Sequence, residues 1–404
     1  MAPFVTMVCK TWTRDSHELF DFEARALHSK TFTTTGAVAV RSGSEVELQP
    51  PGSEIPSGSD ALVQVVSRGS NFYVDRATSS SSQKRLWMVV RDVAPTGYEL
   101  SEGDVIKLGR LKLRLRQMVT DPRVAPALEL EELSAGCEVD PAAQDNSRLC
   151  RICLMEGPGE QDPLIAPCSC KGSIEFVHLK CLRHWTTSRL RFPSTQLGSY
   201  FYRPLACELC KTIYPGRVTV NGQQELLVEL PVTQPPFIVL EAVKRERLQS
   251  DARGLHVMSL AGKAIVVGRG HESDIRISDV SMSRSHASIR FQNGSFLLQD
   301  NNSKFGTLVA MRRPRQLEGS SPLCLQIGRT VLSLVVTTQS PINDDEDAAT
   351  TVVATEGLRS PQSEAAESHP SQSSFLPPTV VAAWAENEDS QQGSRTRLPR
   401  CRSF

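Results

Sequence analysis

The sequence predicts a multidomain, mainly β protein. Two β-rich stretches flank a small α+β module built around two metal ions, and a disordered C-terminal tail follows. Three observations predict this. Residues 30–118 and 237–338 are short β-branched and apolar runs cut by Gly, Pro and Ser, the pattern of strands and turns. Between them, seven cysteines and one histidine fall in close pairs. From residue 339 onward the chain is rich in Ser, Pro and Glu, with too few large apolar side chains to bury a core. At 404 residues there is room for several such units, and 25 Gly with 25 Pro predict abundant turns.

Taken in order, residues 1–29 are an N-terminal segment with neither a long apolar core nor a cleavage-site pattern, so no signal peptide is expected. Residues 30–118 are expected to form an all-β sandwich. Residues 119–147 carry Pro122, Pro126 and Pro141 among acidic residues and are expected to be a linker. The Cys/His module occupies 148–216, a connector 217–236, the second β unit 237–338 and the disordered tail 339–404. Lys plus Arg and Asp plus Glu are both 45, so no global field draws the chain to nucleic acid. Aromatics at 6% also disfavour a base-stacking surface. No run approaches 18 apolar residues, so no membrane span is expected. The expectation is a soluble protein of a reducing compartment, cytoplasmic and/or nuclear, and Cys9, Cys137, Cys324 and Cys401 are expected to be plain thiols.

The chemistry-bearing set is Cys150, Cys153, Cys168, Cys170, His178, Cys181, Cys207 and Cys210, with gaps of 2, 14, 1, 7, 2, 25 and 2 residues. Thiolate and imidazole are zinc's preferred protein ligands, and a structural zinc is closed by four of them. Eight ligands in four short pairs predict two structural zinc ions. A disulfide framework would leave His178 unexplained, and disulfides belong to exported proteins. His184, one turn beyond Cys181, is expected to be an ordinary helix-surface residue.

The ligand order alone is shared by PHD fingers and RING-CH domains. PHD fingers place a Trp two residues before the seventh ligand; here that position is Leu205, and the Trp follows the sixth ligand in Cys181-Leu182-Arg183-His184-Trp185. With Gly172-Ser173-Ile174-Glu175-Phe176-Val177-His178 before it and Cys207-Glu208-Leu209-Cys210-Lys211 after it, the stretch 148–216 resembles the RING-CH (RING-variant) family of ubiquitin ligases. The resemblance implies a cross-brace: Cys150, Cys153, His178 and Cys181 on one zinc, and Cys168, Cys170, Cys207 and Cys210 on the other. It also implies a non-covalent ligase that holds a ubiquitin-charged conjugating enzyme beside its substrate. By position, Ile152 and Trp185 would form the apolar groove for that enzyme, and Lys211 would bridge it to ubiquitin. Ordinary RING domains have Pro after the seventh ligand, whereas this chain has Glu208.

The second β unit contains Gly268-Arg269, then Ser283-Arg284-Ser285-His286, then Asp300-Asn301-Asn302-Ser303-Lys304-Phe305-Gly306-Thr307. In this order and spacing they resemble the forkhead-associated (FHA) domain, a β-sandwich that binds phosphothreonine through its loops. A phosphothreonine carries about −1.5 to −2 charges and three strong acceptors, which calls for a guanidinium and short donors. The resemblance implies Arg269 and Ser283 on the phosphate, with Arg284 and Lys304 beside it. It gives His286 the role of bracing the loop, and Gly268, Gly306 and Thr307 that of holding backbone turns. Phe305 stands where many members have an Asn that bonds the peptide backbone, so the selection of residues after the phosphothreonine is expected to differ.

Ile106–Leu115 and Leu325–Leu334 are echoes: four of ten positions are identical and the apolar alternation is in phase. The first stretch, 30–118, is therefore expected to be a degenerate FHA-like sandwich without a phosphate site, and Lys112, Arg114 and Arg116 to lie on a solvated strand face. Together the motifs imply a soluble ubiquitin ligase that recruits phosphothreonine-containing proteins. The alternative is a non-enzymatic zinc-binding phosphopeptide adaptor.

Overall fold

A computed structural model describes residues 3–14, 18–77, 84–127, 137–138, 146–159, 162–190, 198–220, 222–227, 231–243, 254–319 and 321–338. The chain opens on β1 (Phe4–Trp12), β2 (Leu27–Thr34), β3 (Ala37–Ser42), β4 (Glu45–Gln49), β5 (Asp60–Arg68), β6 (Asn71–Asp75) and β7 (Trp87–Val89). One helical turn, α1 (Val90–Val93), leads to β8 (Tyr98–Glu99), β9 (Val105–Leu108) and β10 (Leu111–Val119). The middle holds β11 (Cys137–Glu138), β12 (Leu164–Ile165), β13 (Val177–His178), α2 (Leu179–Arg189), β14 (Tyr200–Tyr202), β15 (Arg217–Val220) and β16 (Gln223–Leu226). The last part begins with β17 (Phe237–Ala242), β18 (Leu255–Ser259), β19 (Ile265–Gly268), β20 (Ile275–Arg276), β21 (Ala287–Gln292) and β22 (Ser295–Asp300). It ends with β23 (Thr307–Ala310), β24 (Arg315–Gln316), β25 (Leu323–Ile327) and β26 (Thr330–Thr337).

Strands β1, β6, β10, β21 and β22 alternate buried and outward residues, as half-buried strands must, whereas β9, β17, β18 and β23 are buried throughout. In β10, Leu111, Leu113 and Leu115 point into the core while Lys112, Arg114 and Arg116 are partly exposed. The strands pair in an order that sequence proximity does not suggest. An eleven-stranded sheet runs β14-β18-β17-β10-β9-β23-β7-β25-β26-β1-β2. Two five-stranded sheets, β20-β19-β21-β22-β8 and β24-β6-β5-β3-β4, pack against it through one continuous apolar core.

The long sheet reads the same from its centre outward in both directions, apart from β14 at one edge. At the centre Met88 of β7 faces Val309 of β23. From there each half continues through the other half's closing hairpin. The hairpin β9–β10 joins β23 to β17, while β25–β26 joins β7 to β1. The short strands follow suit: β8 pairs with β22, and β24 with β6. The two halves have thus exchanged their last three strands. The echoed decapeptides are the exchanged hairpins, and their register corresponds: Leu115 faces Leu240 as Leu334 faces Met7. Each hairpin tip docks on the opposite half. Arg110 N–H donates to Ser281 Oγ at 2.9 Å, and the Arg329 guanidinium donates to the carbonyls of Thr13 and Gly43.

This corrects several expected boundaries. Residues 1–29 are not a separate segment: β1 lies inside the long sheet, with Val5, Met7 and Cys9 buried. Neither 30–118 nor 237–338 closes on itself, because the apolar face of each hairpin is buried against the other half. Most of the expected linker 119–147, and the tail 339–404 with Cys401, lie outside the described residues.

The zinc-type module is docked on the sheet edge. Its strand β14 pairs with β18, Tyr200 against Val257 and Tyr202 against Leu255. Leu190, Tyr200 and Tyr202 join Val119, Phe237, Val239, Leu255 and Val257 in a shared apolar cluster. The expected connector 217–236 is corrected too. The hairpin β15–β16 packs on the module, with Val218 and Leu227 buried beside Cys150 and Leu182. Arg183 of α2 pairs with Glu225 at 2.8 Å.

Candidate metal centres and phosphate-binding loops

Two clusters form. Cys150, Cys153, His178 and Cys181 bring their ligand atoms within 4.8 Å of one another, and so do Cys168, Cys170, Cys207 and Cys210. Local structure explains how. Cys150 and Cys153 sit in a tight turn in which Leu154 N–H bonds the Cys150 carbonyl and Leu154 takes φ of 61°. Cys207 and Cys210 sit in a matching turn closed by Lys211 N–H to the Cys207 carbonyl, with Lys211 at φ 62°. The pairing of Leu164 with His178 and Ile165 with Val177 brings the third and fifth ligands to their places. Helix α2 buries Leu179, Leu182 and Thr186, at helical spacing, and so aims Cys181 at the first cluster.

The donors fit a tetrahedral metal. Sulfurs about 2.3 Å from a central ion would lie roughly 3.8 Å apart; Cys170 and Cys207 sulfurs are 3.7 Å apart. His178 Nε2–H donates to the Gly157 carbonyl at 2.8 Å, which leaves the Nδ1 lone pair facing Cys153 Sγ at 3.3 Å and Cys181 Sγ at 3.9 Å. Such an outer bond fixes the tautomer a ligand needs. Thr212 beside Cys210 holds its thiol at about 5 by hydrogen bonding. Burial and neighbouring thiols push Cys170 and Cys181 up to about 12. Crowded thiols that resist full ionisation are what a divalent cation resolves. His184 is exposed and outside both clusters.

Around the clusters several large apolar side chains are exposed. Ile152 is 41% exposed, Leu154 73% and Leu209 60%. Trp185 is half-buried, its ring edge-on to Tyr214 at 5.8 Å with the Arg189 guanidinium 5.3 Å over it. Arg189 also pairs with Glu208 at 2.7 Å. Lys211 is exposed, and its ammonium donates to the Glu208 carbonyl at 2.9 Å.

At the other candidate site, backbone bonds bring the two Arg-bearing loops together: Arg269 N–H to the Ser283 carbonyl and Gly270 N–H to the Arg284 carbonyl, both at 3.0 Å. Gly268 lies where a Cβ would meet the Arg284 carbonyl oxygen at 2.1 Å, so no side chain fits. His286 is buried; its Nδ1 accepts from Ser283 N–H and its Nε2–H donates to the Gly306 carbonyl, each at 3.1 Å. Lys304 N–H donates to Ser283 Oγ at 3.1 Å, and Thr307 Oγ1 to Asp300 at 2.6 Å. Arg269 and Arg284 are exposed, and among the described residues neither guanidinium makes an ion pair or a side-chain hydrogen bond.

These geometries coincide with family signatures: residues 150–210 match the RING-variant domain, and residues 265–331 match the FHA domain. The chain carries a RING-variant domain and an FHA domain. It is 28% identical over 204 residues to the E3 ubiquitin-protein ligase MARCHF7 of Mus musculus, covering 49% of this chain and 27% of that relative. It is 44% identical over 73 residues to the E3 ubiquitin-protein ligase MARCHF8 of Xenopus tropicalis, 18% of this chain and 21% of that relative. The Homo sapiens probable E3 ubiquitin-protein ligase MARCHF10 is 36% identical over 69 residues, 17% of this chain and 8% of that relative. The chain thus spans about a quarter or less of the length of these relatives. No solved structure matches it. No described helix is long and apolar enough to cross a membrane.

Sequence reasoning missed the surroundings of the FHA loops. The connection between β1 and β2 packs on the Lys304–Gly306 turn: Asp21 pairs with the Lys304 ammonium at 3.3 Å, and Phe22 N–H bonds the Lys304 carbonyl. Phe305 packs with Trp12, Phe20 and Phe22 in an apolar cluster. Arg91, within α1, pairs with the buried Asp300 at 2.8 Å and donates to the Ser303 carbonyl. These partners lie about 200 to 300 residues away in sequence, and no local pattern announces them. In the RING-variant domain the missed residues are Arg151, inside the first Cys-x-x-Cys, and Tyr214.

Proposed function

We propose that the chain is a RING-CH-type ubiquitin ligase whose RING-variant domain docks a ubiquitin-charged conjugating enzyme and whose FHA domain recruits phosphothreonine-containing partners. The observation that carries this reading is the eight-ligand set gathered into two four-ligand clusters beneath an exposed apolar rim that includes Ile152, Leu154 and Leu209. Each cluster would hold one zinc. With four protein ligands per ion, no position is left to activate water, so the metal's part is structural. The protein's part is to present Ile152 and Trp185 to the conjugating enzyme and Lys211 to the junction with ubiquitin. Capture of partners falls to Arg269, Ser283 and Arg284. Lys304 supports that site through its backbone N–H, while its ammonium is shared with Asp21. The first half is read as an FHA-like sandwich without a phosphate site. There Arg41, at the end of β3 as Arg269 follows β19, is taken up by Asp60, which Lys84 also contacts at 2.7 Å.

Ubiquitin transfer by the full chain, with a panel of conjugating enzymes, tests the ligase reading. Ile152→Ala is expected to reduce autoubiquitination at least tenfold with metal content unchanged, because this exposed side chain supports no core. Trp185→Ala should reduce transfer as well, and should also lower stability by about 0.5–1.5 kcal/mol through loss of the edge-to-face contact with Tyr214. Wild-type chain without transfer under any enzyme of the panel would leave only a binding role.

Phosphopeptide calorimetry tests the second site. Arg269→Ala is expected to weaken a phosphothreonine peptide more than tenfold, since a hydrogen bond to a charged group contributes about 1.5–3 kcal/mol. Autoubiquitination should survive this change. Equal binding of phosphorylated and unphosphorylated peptides by the full chain would defeat the recruitment role.

A further inference from the structure

Arg151 belongs by sequence to the first metal loop, between Cys150 and Cys153, yet its guanidinium lies against the second cluster. One terminal nitrogen donates to Cys168 Sγ at 3.5 Å and to the Ile174 carbonyl at 2.8 Å. The other donates to Cys207 Sγ at 3.8 Å and to Tyr214 Oη at 3.2 Å. Cys168 and Cys207 come from separate ligand pairs, so one planar group spans the second cluster from outside.

The charges of the two centres differ. Three thiolates and a neutral imidazole around a divalent ion leave one net negative charge, whereas four thiolates leave two. The first centre already has an outer partner in the Gly157 carbonyl, which polarises His178. In the second, the thiolates meet the guanidinium of Arg151, the hydroxyl of Thr212 3.4 Å from Cys210 Sγ, and, at Cys207, the Tyr214 hydroxyl and the backbone N–H groups of Leu209 and Cys210; of these groups the guanidinium alone is charged. A guanidinium is always charged and presents its donors in a rigid fork, which suits it to two fixed sulfurs where a lysine reaches only one.

We propose that Arg151 is a positioning residue of the second metal centre: it offsets one of the two excess charges there and ties that centre to the loop of the first. Tyr214, which shares the guanidinium, stands edge-on to Trp185, so the contact also leads toward the docking surface. Outer partners of this kind change metal affinity by about 10–100-fold.

The inference rests on the metal-binding reading, and one experiment separates the two. The full chain is loaded with cadmium-113, whose resonance distinguishes four-sulfur from three-sulfur, one-nitrogen coordination, and is then titrated with a chelator. Wild type should show one resonance of each kind; a chain that shows none defeats the metal reading itself. Arg151→Gln should give up the four-sulfur cadmium at about 10–100-fold lower chelator concentration while the other centre is unmoved. Arg151→Lys, which keeps the charge and loses the fork, should fall between, and it serves alone if the glutamine variant does not fold. Equal loss from both centres, or no change at either, overturns the assignment of Arg151 while leaving the metals in place.

Discussion

A chain cut by a protease at a site engineered into 128–136 is expected to remain one species in size exclusion, and to separate only in denaturant. The cut leaves β1–β10 on one piece and β11–β26 on the other. If each half closed on its own hairpin, only face-to-face packing would hold the pieces. Here each piece contributes a hairpin to the other. Ile106, Leu108, Leu113 and Leu115 enter one half and Leu325, Ile327, Leu332 and Leu334 the other, all of them at most 1% exposed. Burying such a side chain contributes about 1.5–3 kcal/mol. Eight of them match or exceed the roughly 12 kcal/mol of a nanomolar complex before any backbone pairing is counted. Free separation of the pieces in native buffer would rule out the exchange. The same pairing means that the FHA match at 265–331 is not a self-contained unit. Phosphopeptide binding is therefore measured on the full chain.

Removal of the metals is expected to have the second large effect. Chelation should release two zinc ions per chain, unfold 148–227 and abolish ubiquitin transfer. With a small core in which Cys150, Cys170 and Cys207 sit among side chains such as Leu164, Ile165 and Leu182, the module is expected to depend on metal for folding. Structural zinc sites of this kind supply on the order of 10–16 kcal/mol. The exchanged sheet should survive, since its core lies elsewhere. Its edge should not be untouched. Loss of β14 strips the partner from β18 and uncovers Phe237, Leu255 and Val257. Hydrogen exchange should therefore show protection lost in the module and along Leu255–Val257, and retained in β1, β10 and β26. Metal analysis with one ion or none per chain, or an unaltered β18 edge after chelation, would contradict this account.

The two ligand clusters were legible from the residues before any fold was known. A ligand set of seven Cys and one His, with its spacing, specifies two four-ligand clusters because tetrahedral sites admit few alternatives at short separations. The loops bearing Arg269, Ser283 and Arg284 were legible for a similar reason: glycines and hydrogen-bonding side chains at set positions are local requirements of those turns. The alternation of Leu111, Leu113 and Leu115 announced a half-buried strand, and its echo at Leu332 and Leu334 announced a second of the same kind. What neither pattern carried was the partner. Two hairpins with the same register and the same apolar face satisfy either half equally well by local rules. Their assignment is set by the connections after β7 and β23 and by the Met88–Val309 pairing at the centre. Likewise β1 takes its partners from β2 and from the sequence-distant β26, and Phe305 takes its packing from Trp12 and Phe20. Contacts of that sequence separation arise only when the whole core assembles, so they were fixed by the three-dimensional packing and not by any local pattern.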